Sequence, residues 1–295
     1  MSPCKADFIY NRPTLTLKKQ RAQFQKLLSS QYTQDEIRLH FEMLCETYLG
    51  LTPAQVVLEL KEPLSPEAEA QLQATLKALK ENEPIQYIIG SVVFAGFRLA
   101  VDERVLIPRP ETEELVHWLL STYTDETPLR VLDIGTGSGC VAIALKKARP
   151  NWEVTAWDVD LDALTVARQN ANTHQLSINF EVIDVLGAQL PNKHWDIIIS
   201  NPPYVPESEK AHTATHVLRE PEHAIFVPGK SPLKFFTHII NYATQRLNAK
   251  GGIFLEGHAP LMKTLHLLLT QAGFSDIVLR NDFRTNPRFI RAHYR

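Results

Sequence analysis

Two segments of the sequence have residue types and spacing that can carry chemistry: Asn201-Pro202-Pro203-Tyr204 and the glycine-rich run Asp133-Ile134-Gly135-Thr136-Gly137-Ser138-Gly139. The first ends a buried-type strand, Trp195-Asp196-Ile197-Ile198-Ile199-Ser200. Its prolines carry no N–H and fix φ at about −65°, which holds the neighbouring carbonyls in set directions. The Asn201 side-chain oxygen and the Pro202 carbonyl then form a rigid pair of acceptors. Such a pair suits an amide nitrogen, whose delocalised lone pair makes it a poor nucleophile. Accepting both of its N–H bonds orients it and favours pyramidal geometry as it meets an electrophile, so positioning supplies most of the catalysis. Tyr204 offers a face for stacking on a planar target group. Alone, the segment also reads as a proline-rich turn after a core strand.

The second segment is an apolar strand running into three alternate glycines and then a helical stretch, so the backbone can approach a ligand closely. The spacing is G-x-G-x-G, with Cys at 140. It fails the dinucleotide fingerprint and lacks the lysine of a phosphate-binding loop. An acid at the strand end, Asp133, repels phosphate and suits a cationic amino-acid head group. The combination points to the methionyl part of S-adenosylmethionine, with Gly135, Thr136, Gly137, Ser138 and Gly139 around it. Asp158, ending the next strand, is placed to accept from both ribose hydroxyls. Asp184 ends a third strand and can accept from an adenine amino group, beside Val185. Singly, such acids are also ordinary turn formers.

Arg109, Glu111 and Glu113 flank Pro110, a pattern that also opens a helix, with proline at its first position and acids near its positive end. His212, His216 and His223 fall in an irregular stretch without a metal-binding helix motif and read as surface residues, so no metal is expected. Cys140 reads as a small packing residue at a helix start.

These groups need a scaffold. From Leu17 to Glu83 the text is rich in helix formers, Leu72, Leu76 and Leu79 recur at helical spacing, and Ser65-Pro66-Glu67 reads as a helix start. Several short helices are predicted. Tyr87-Ile88-Ile89 and Val92-Val93-Phe94, around Gly90 and Gly96, predict a linking hairpin. After Pro128, strands and helices alternate: 130–134, 141–148, 153–157, 161–172, 179–183, 195–200, 233–247, 252–256, 261–272, 276–280 and 288–292. The alternation implies an α/β fold with a mostly parallel sheet covered by helices on both faces. The stretch from Val205 to Pro232 has no clear period, and such a loop beside a site is often functional.

With 295 residues and 44% hydrophobic content the chain can bury a full core, and length suggests two domains. A net charge of −2 supplies no global field for a polyanion. No nucleic-acid binding is expected. Cys4, Cys45 and Cys140 form no paired motif. The first twenty residues contain no continuous signal-peptide core, and no apolar run approaches the ~20 residues that span a bilayer. A cytoplasmic protein without a membrane partner is expected.

The sequence resembles the HemK/PrmC-type peptide-chain release factor glutamine N5-methyltransferases over nearly its whole length. The likeness rests on Pro84-Ile85-Gln86-Tyr87-Ile88-Ile89-Gly90, on Phe94-x-Gly96 and on Leu106-Ile107-Pro108-Arg109-Pro110-Glu111-Thr112-Glu113. It also takes in Asp133 to Gly139 and Asn201 to Tyr204. The last motif is shared with adenine-N6 DNA methyltransferases, so the Ile-Pro-Arg-Pro-Glu-Thr-Glu segment discriminates. The resemblance implies a helical substrate-recognition domain over 1–83, a β-hairpin linker over 84–110, and a seven-stranded Rossmann-like class I methyltransferase domain over 111–295. It implies cofactor contacts from Gly135 to Gly139, Asp158 and Asn201, substrate contacts from Asn201, Pro202, Pro203 and Tyr204, and a place for Arg109, Glu111 and Glu113 beside the substrate pocket. Asn201, Pro202 and Tyr204 are the expected catalytic residues. The implied substrates are peptide chain release factors, the product cofactor is S-adenosylhomocysteine, and a monomer is expected. Two departures and two likenesses remain: Val185 stands where relatives often carry an aromatic residue and Leu255-Glu256-Gly257-His258 departs from the usual Glu-Ile-Gly, whereas Asp282 to Arg288 fits the family's closing hairpin and Glu220 to Phe226 looks family-like, which places that loop at the expected site. Methylation of a ribosomal-protein glutamine or of adenine-N6, and a non-catalytic nucleotide-binding module, are the competing readings.

Overall fold

The computed structural model describes residues 15–229 and 231–294. Cys4 and most of the stretch read for a signal peptide lie outside them. The chain divides into two compact units, Met1–Ile89 and Gly90–Arg295.

The first unit is helical: α1 (Leu17–Leu28), α2 (Gln34–Leu49), α3 (Pro53–Leu58), α4 (Pro66–Lys80) and α5 (Ile85–Ile89). Thr16, Thr33, Thr52 and Ser65 open the first four, each side chain accepting the amide three residues on, which satisfies a donor the helix leaves unpaired. Pro66 takes the first helical position behind Ser65, as predicted. Leu72, Leu76 and Leu79 are buried with Phe24, Ile37 and Phe41.

One expectation is corrected here. Tyr87-Ile88-Ile89 forms helix α5, because the Pro84 carbonyl accepts from the amides of Tyr87 and Ile88 at 3.0 and 3.1 Å. The β-branched residues are overridden by the turn that proline starts. The hairpin begins only at β1 (Ser91–Phe94) and returns as β2 (Phe97–Ala100), pairing Phe94 with Phe97. Its two-residue turn, Ala95-Gly96, has φ of 48° and 81°. Two positive φ values match the twist of a hairpin and favour Asn-Gly there. Alanine pays for its Cβ in that region. Ala95→Asn is therefore expected to stabilise the second unit by about 1 kcal/mol, read as a higher denaturant midpoint at unchanged slope.

The rest of the second unit contains α6 (Pro110–Thr122), β3 (Arg130–Ile134), α7 (Cys140–Ala148), β4 (Glu153–Asp158), α8 (Leu161–Thr173), β5 (Asn179–Val182) and β6 (Trp195–Ser200). It continues through β7 (Val205–Pro206), α9 (Glu222–Ile225), β8 (Phe226–Val227), α10 (Lys234–Arg246), β9 (Leu247–Glu256), α11 (Met262–Gln271), β10 (Phe274–Asn281) and β11 (Pro287–Tyr294). Among the described residues seven strands make one sheet, in the order β10-β11-β9-β6-β3-β4-β5. β11 runs antiparallel to both its neighbours and the other central pairs are parallel.

Both faces are covered, and the strands show it residue by residue. Val131, Ile197 and Ile199 pack on the face that carries α6 and α7. Leu132, Ile134 and Ile198 pack on the face that carries α10 and α11. Each such fully buried side chain contributes about 1.5–3 kcal/mol. The chain steps outward from β3 through β4 to β5, then returns to place β6 on the other side of β3. Ligands bind such sheets where the order reverses, beyond the strands' C-terminal ends. That point lies between Ile134 and Ser200, where the two chemical segments begin.

Candidate active site

At the end of β3 the chain turns through Gly135, Thr136 and Gly137. The amides of Gly135 and Thr136 both donate to the Trp157 carbonyl, at 2.8 and 3.0 Å. Gly137, at φ 54°, donates to Asp158 Oδ2 at 2.8 Å. Gly139 sits at φ 82°, and a Cβ there would stand 3.1 Å from Cβ of Ala167. Here glycine lets α7 lie close against α8, which is a packing role. Gly135 and Gly137 line a cavity, Thr136, Ser138 and Gly139 do not, and side chains at 136 and 138 are buried.

Asp133, expected at the cofactor end, lies in the interior of β3. It is an interior residue of an alternating strand, turned beneath the start of α7. Its Oδ2 accepts from the Thr136 hydroxyl at 2.6 Å, and it does not line the cavity. Burial pushes its carboxyl up to about 7, against the pull of the Thr136 hydroxyl and the Ala142 amide, with the charge of Asp158 adding to the rise. Asp133 shapes the glycine turn through the Thr136 hydroxyl. Because the folded state holds this proton more tightly than the unfolded chain, its contribution to stability is complete below about pH 4 and is lost as pH rises to about 7. Asp133→Asn has no such loss. In denaturant titrations without cofactor, its stability relative to the parent protein is expected to rise between pH 4 and pH 7 and to level off above.

The cavity beyond the turn measures about 280 Å³. Asp158 lies at one side, its Oδ1 accepting from the Asp160 amide at 3.0 Å and its Oδ2 from Gly137. Burial raises its pKa, and these two amides oppose the rise. Both oxygens stay fixed in place, each with a second lone pair for a vicinal diol. Asp184 also lines the cavity, with Oδ1 held by the Leu186 amide at 2.8 Å. Ile134, Ala163, Ile183, Val185, Phe235 and Ile239 supply an apolar wall. A carboxylate placed for a diol, an apolar slot and glycines whose added Cβ would meet nothing within 4 Å fit an adenosine carrying an amino-acid tail.

Asn201, Pro202 and Pro203 line this cavity and also a second one of about 470 Å³ on its outer side. Arg109, Glu111, Tyr204, Glu256, Arg284 and Arg288 line only the outer one. Glu113, expected with them, faces a different groove beside Phe97 and Phe283. Residues two apart on a helix point to opposite sides, so 111 and 113 cannot share one pocket.

The Asn201 side chain is held from behind. Its Nδ2 donates to Thr112 Oγ1 at 3.0 Å. Thr112 donates to Glu256 Oε2 at 2.8 Å, and Tyr204 donates to Glu256 Oε1 at 3.0 Å. Glu256 is buried, and burial pushes its carboxyl up to about 7 while the two hydroxyls pull it down. The Tyr204 phenol is raised above its ordinary range by burial and by the Glu256 charge. Its ring lies parallel to that of His258, with centroids 6.3 Å apart, and the Arg288 guanidinium stands 5.9 Å from its centre.

Arg109 reaches the irregular segment that the sequence marked as functional. It pairs with Glu220 Oε1 at 2.5 Å, and Glu220 Oε2 accepts from the Ile107 amide at 3.0 Å. Glu220 is buried. Glu220 opens the stretch that the resemblance ties to the site, whereas Thr112, Glu256 and Arg288 have no site reading of their own in the sequence. Only Glu256 carried a local signal, as an acid ending an apolar strand next to β6. His223 lines the inner cavity, 3.3 Å from Asp160 Oδ2, whereas His216 lines the outer one. Among the described residues no three potential metal ligands gather. Cys140 is buried and its thiol is pushed up to about 12, which leaves no thiolate near neutral pH.

A Methyltransferase small domain model matches residues 114–230. A PrmC N-terminal domain model matches residues 19–90. The chain is 38% identical over 285 residues to the release factor glutamine methyltransferase of Flavobacterium psychrophilum, covering 95% of this chain and 100% of that one. It is 34% identical over 274 residues to the enzyme of the same name from Bacteroides thetaiotaomicron, covering 92% and 98%. A methyltransferase from Pyrococcus furiosus of known structure superposes with a TM-score of 0.51 at 18% identity, covering 78% of this chain and 98% of that one.

Proposed function

The chain belongs to the release factor glutamine methyltransferase family, and from that premise we propose that it transfers a methyl group from S-adenosylmethionine to the side-chain amide nitrogen of a glutamine in a peptide chain release factor. Its second unit is a seven-stranded Rossmann-like class I methyltransferase fold. The observation that carries the proposal is the shared wall. Asn201, Pro202 and Pro203 divide a cavity fitted to the cofactor from an outer cavity open to a substrate side chain.

When bound, the cofactor supplies an electrophilic methyl group. The protein supplies position. Asp158 takes the ribose hydroxyls, the apolar wall with Val185 takes the adenine, and Asp184 takes its amino group. Gly135 and Gly137 admit the amino-acid tail, with Asp133, Thr136, Ser138 and Gly139 forming the turn that shapes this end. Asn201 Oδ1 and the Pro202 carbonyl accept the two N–H bonds of the glutamine amide and aim its nitrogen across the wall. Tyr204 and Pro203 bound the glutamine, and Arg109 and Glu111 border its entrance. The helical unit selects the release factor, and the hairpin over 91–100 belongs with the catalytic unit. The enzyme acts in the cytoplasm as a monomer without binding nucleic acid; among the described residues no helix is long and apolar enough to cross a membrane.

The test is mass spectrometry of a release factor, a ribosomal protein fraction and an adenine-containing oligonucleotide after incubation with isotopically labelled cofactor. Label on one glutamine of the release factor is expected. Label on adenine, or on a ribosomal protein alone, would overturn the assignment.

A further inference from the structure

Nothing in the fold of β6 fixes which end of the Asn201 amide faces the glutamine. The two ends are nearly the same size, and only the oxygen can accept an N–H bond. The choice is made behind the residue, by Thr112 on α6 and Glu256 at the end of β9. From these contacts we propose that Glu256, acting through Thr112, is the positioning residue that holds Asn201 with Oδ1 turned to the substrate. The inference rests on the glutamine methyltransferase reading for its catalytic consequence and on the geometry alone for the orientation itself.

The direction of each bond follows from valence. An ionised carboxylate only accepts, so Glu256 requires a proton from each hydroxyl it touches: Tyr204 at Oε1, 3.0 Å away, and Thr112 at Oε2, 2.8 Å away. A threonine hydroxyl has one proton. Once that is given to Glu256, Thr112 can meet Asn201 only as an acceptor, and the 3.0 Å contact must be filled by Nδ2. Oδ1 is then left for the cavity that Asn201 lines. A protonated Glu256 has a donor of its own and no longer dictates this order. Burial favours that neutral form, while the Thr112 and Tyr204 hydroxyls and the Arg288 guanidinium favour the charged one and Glu111 opposes it. The charge of Glu256 in turn adds to the rise of the buried Cys140 thiol, whose main cause is burial. Arg288, bonded to the Gly257 carbonyl and to Tyr204 Oη at 3.3 and 3.4 Å, is the cation of the group.

Two substitutions break the chain of bonds at different links. Glu256→Gln keeps the volume and replaces one accepting oxygen by a donor, so the two hydroxyls can no longer both be accepted. Thr112→Val keeps the shape and removes the relay. Each is expected to lower kcat for release-factor methylation by about tenfold or more, with the cofactor Kd changed less than about threefold. Thr112→Ser, which retains the hydroxyl, should recover most of the loss. A purely structural role for the methyl group would leave serine no better than valine. The orientation has its own readout in the side-chain amide resonance of Asn201, assigned by its loss in Asn201→Ala. Hydrogen exchange of that amide should be about tenfold faster or more in Thr112→Val and Glu256→Gln. Unchanged exchange, or kcat within about threefold of the parent in both variants, would overturn the proposal. If the parent protein methylated no glutamine, the functional reading would fall, and the exchange measurement would still decide the positioning.

Discussion

Asn201→Ala is expected to lower single-turnover methyl transfer by about a hundredfold or more, with a smaller change in cofactor affinity. The residue lies on the wall between the two cavities, and its Nδ2 is already committed to Thr112. Alanine removes the acceptor that meets one substrate N–H bond. The interaction matters most as the nitrogen becomes pyramidal, so the loss falls on turnover more than on binding. Asn201→Asp tests the same idea from the other side. It keeps oxygen but offers Thr112 no donor, and it sets a second carboxylate beside a hydroxyl that has a single proton and already serves Glu256. The added charge also favours the cationic cofactor over the neutralising transition state. Aspartate is therefore expected to impair catalysis while binding cofactor at least as tightly. Near-normal transfer in the alanine variant would sink the proposed role of Asn201 and leave the family assignment standing.

The second large effect is expected at Asp158. Both of its oxygens are anchored by backbone amides, those of Gly137 and Asp160, so the carboxylate presents a rigid acceptor pair to the inner cavity, where the proposed cofactor pose puts the ribose. Asp158→Ala should weaken S-adenosylmethionine binding by about 1–3 kcal/mol, roughly fivefold to 150-fold in Kd. The loss has two parts, the diol contacts and the relaxed Gly137. Asp158→Asn separates them, because it retains one oxygen for the turn, and it should fall between alanine and the parent. Titration calorimetry on folded variants is the measurement, and an unchanged Kd in Asp158→Ala would remove the residue from the site.

What could be read in the sequence was local. Ser65 before Pro66, leucines at helical spacing, and apolar runs ending in Asp158 or in Asn201-Pro202 each state their structure within a few residues. The lining of the inner cavity was legible for that reason, since it is assembled from neighbouring strand ends. The support of the substrate side was not. Thr112 meets Glu256 across 144 residues, and Ile107 meets Glu220 across 113, and no periodicity encodes such pairs. Two side-chain placements have nearer causes. The direction of Asp133 follows from strand alternation, and the separation of Glu111 from Glu113 follows from the helical repeat, so both could have been drawn from geometry once the elements were assigned. Tyr87 to Ile89 misled because β-branched composition outweighed the preceding proline.

The place of β11 in the sheet bears on how the molecule is made. It lies between β9 and β10, although it follows both in the chain. A polypeptide emerging in order therefore exposes an unpaired edge on β9 and a β10 without a partner until residues 287–294 arrive. The glycine turn, Asp158 and the Asn-Pro-Pro-Tyr segment all precede that event, whereas Arg288, which braces Tyr204, comes with it. Biosynthesis thus supplies the residues of the inner cavity first and the last residues of the outer one late, and the half-made sheet is the stage at which aggregation and proteolysis threaten most.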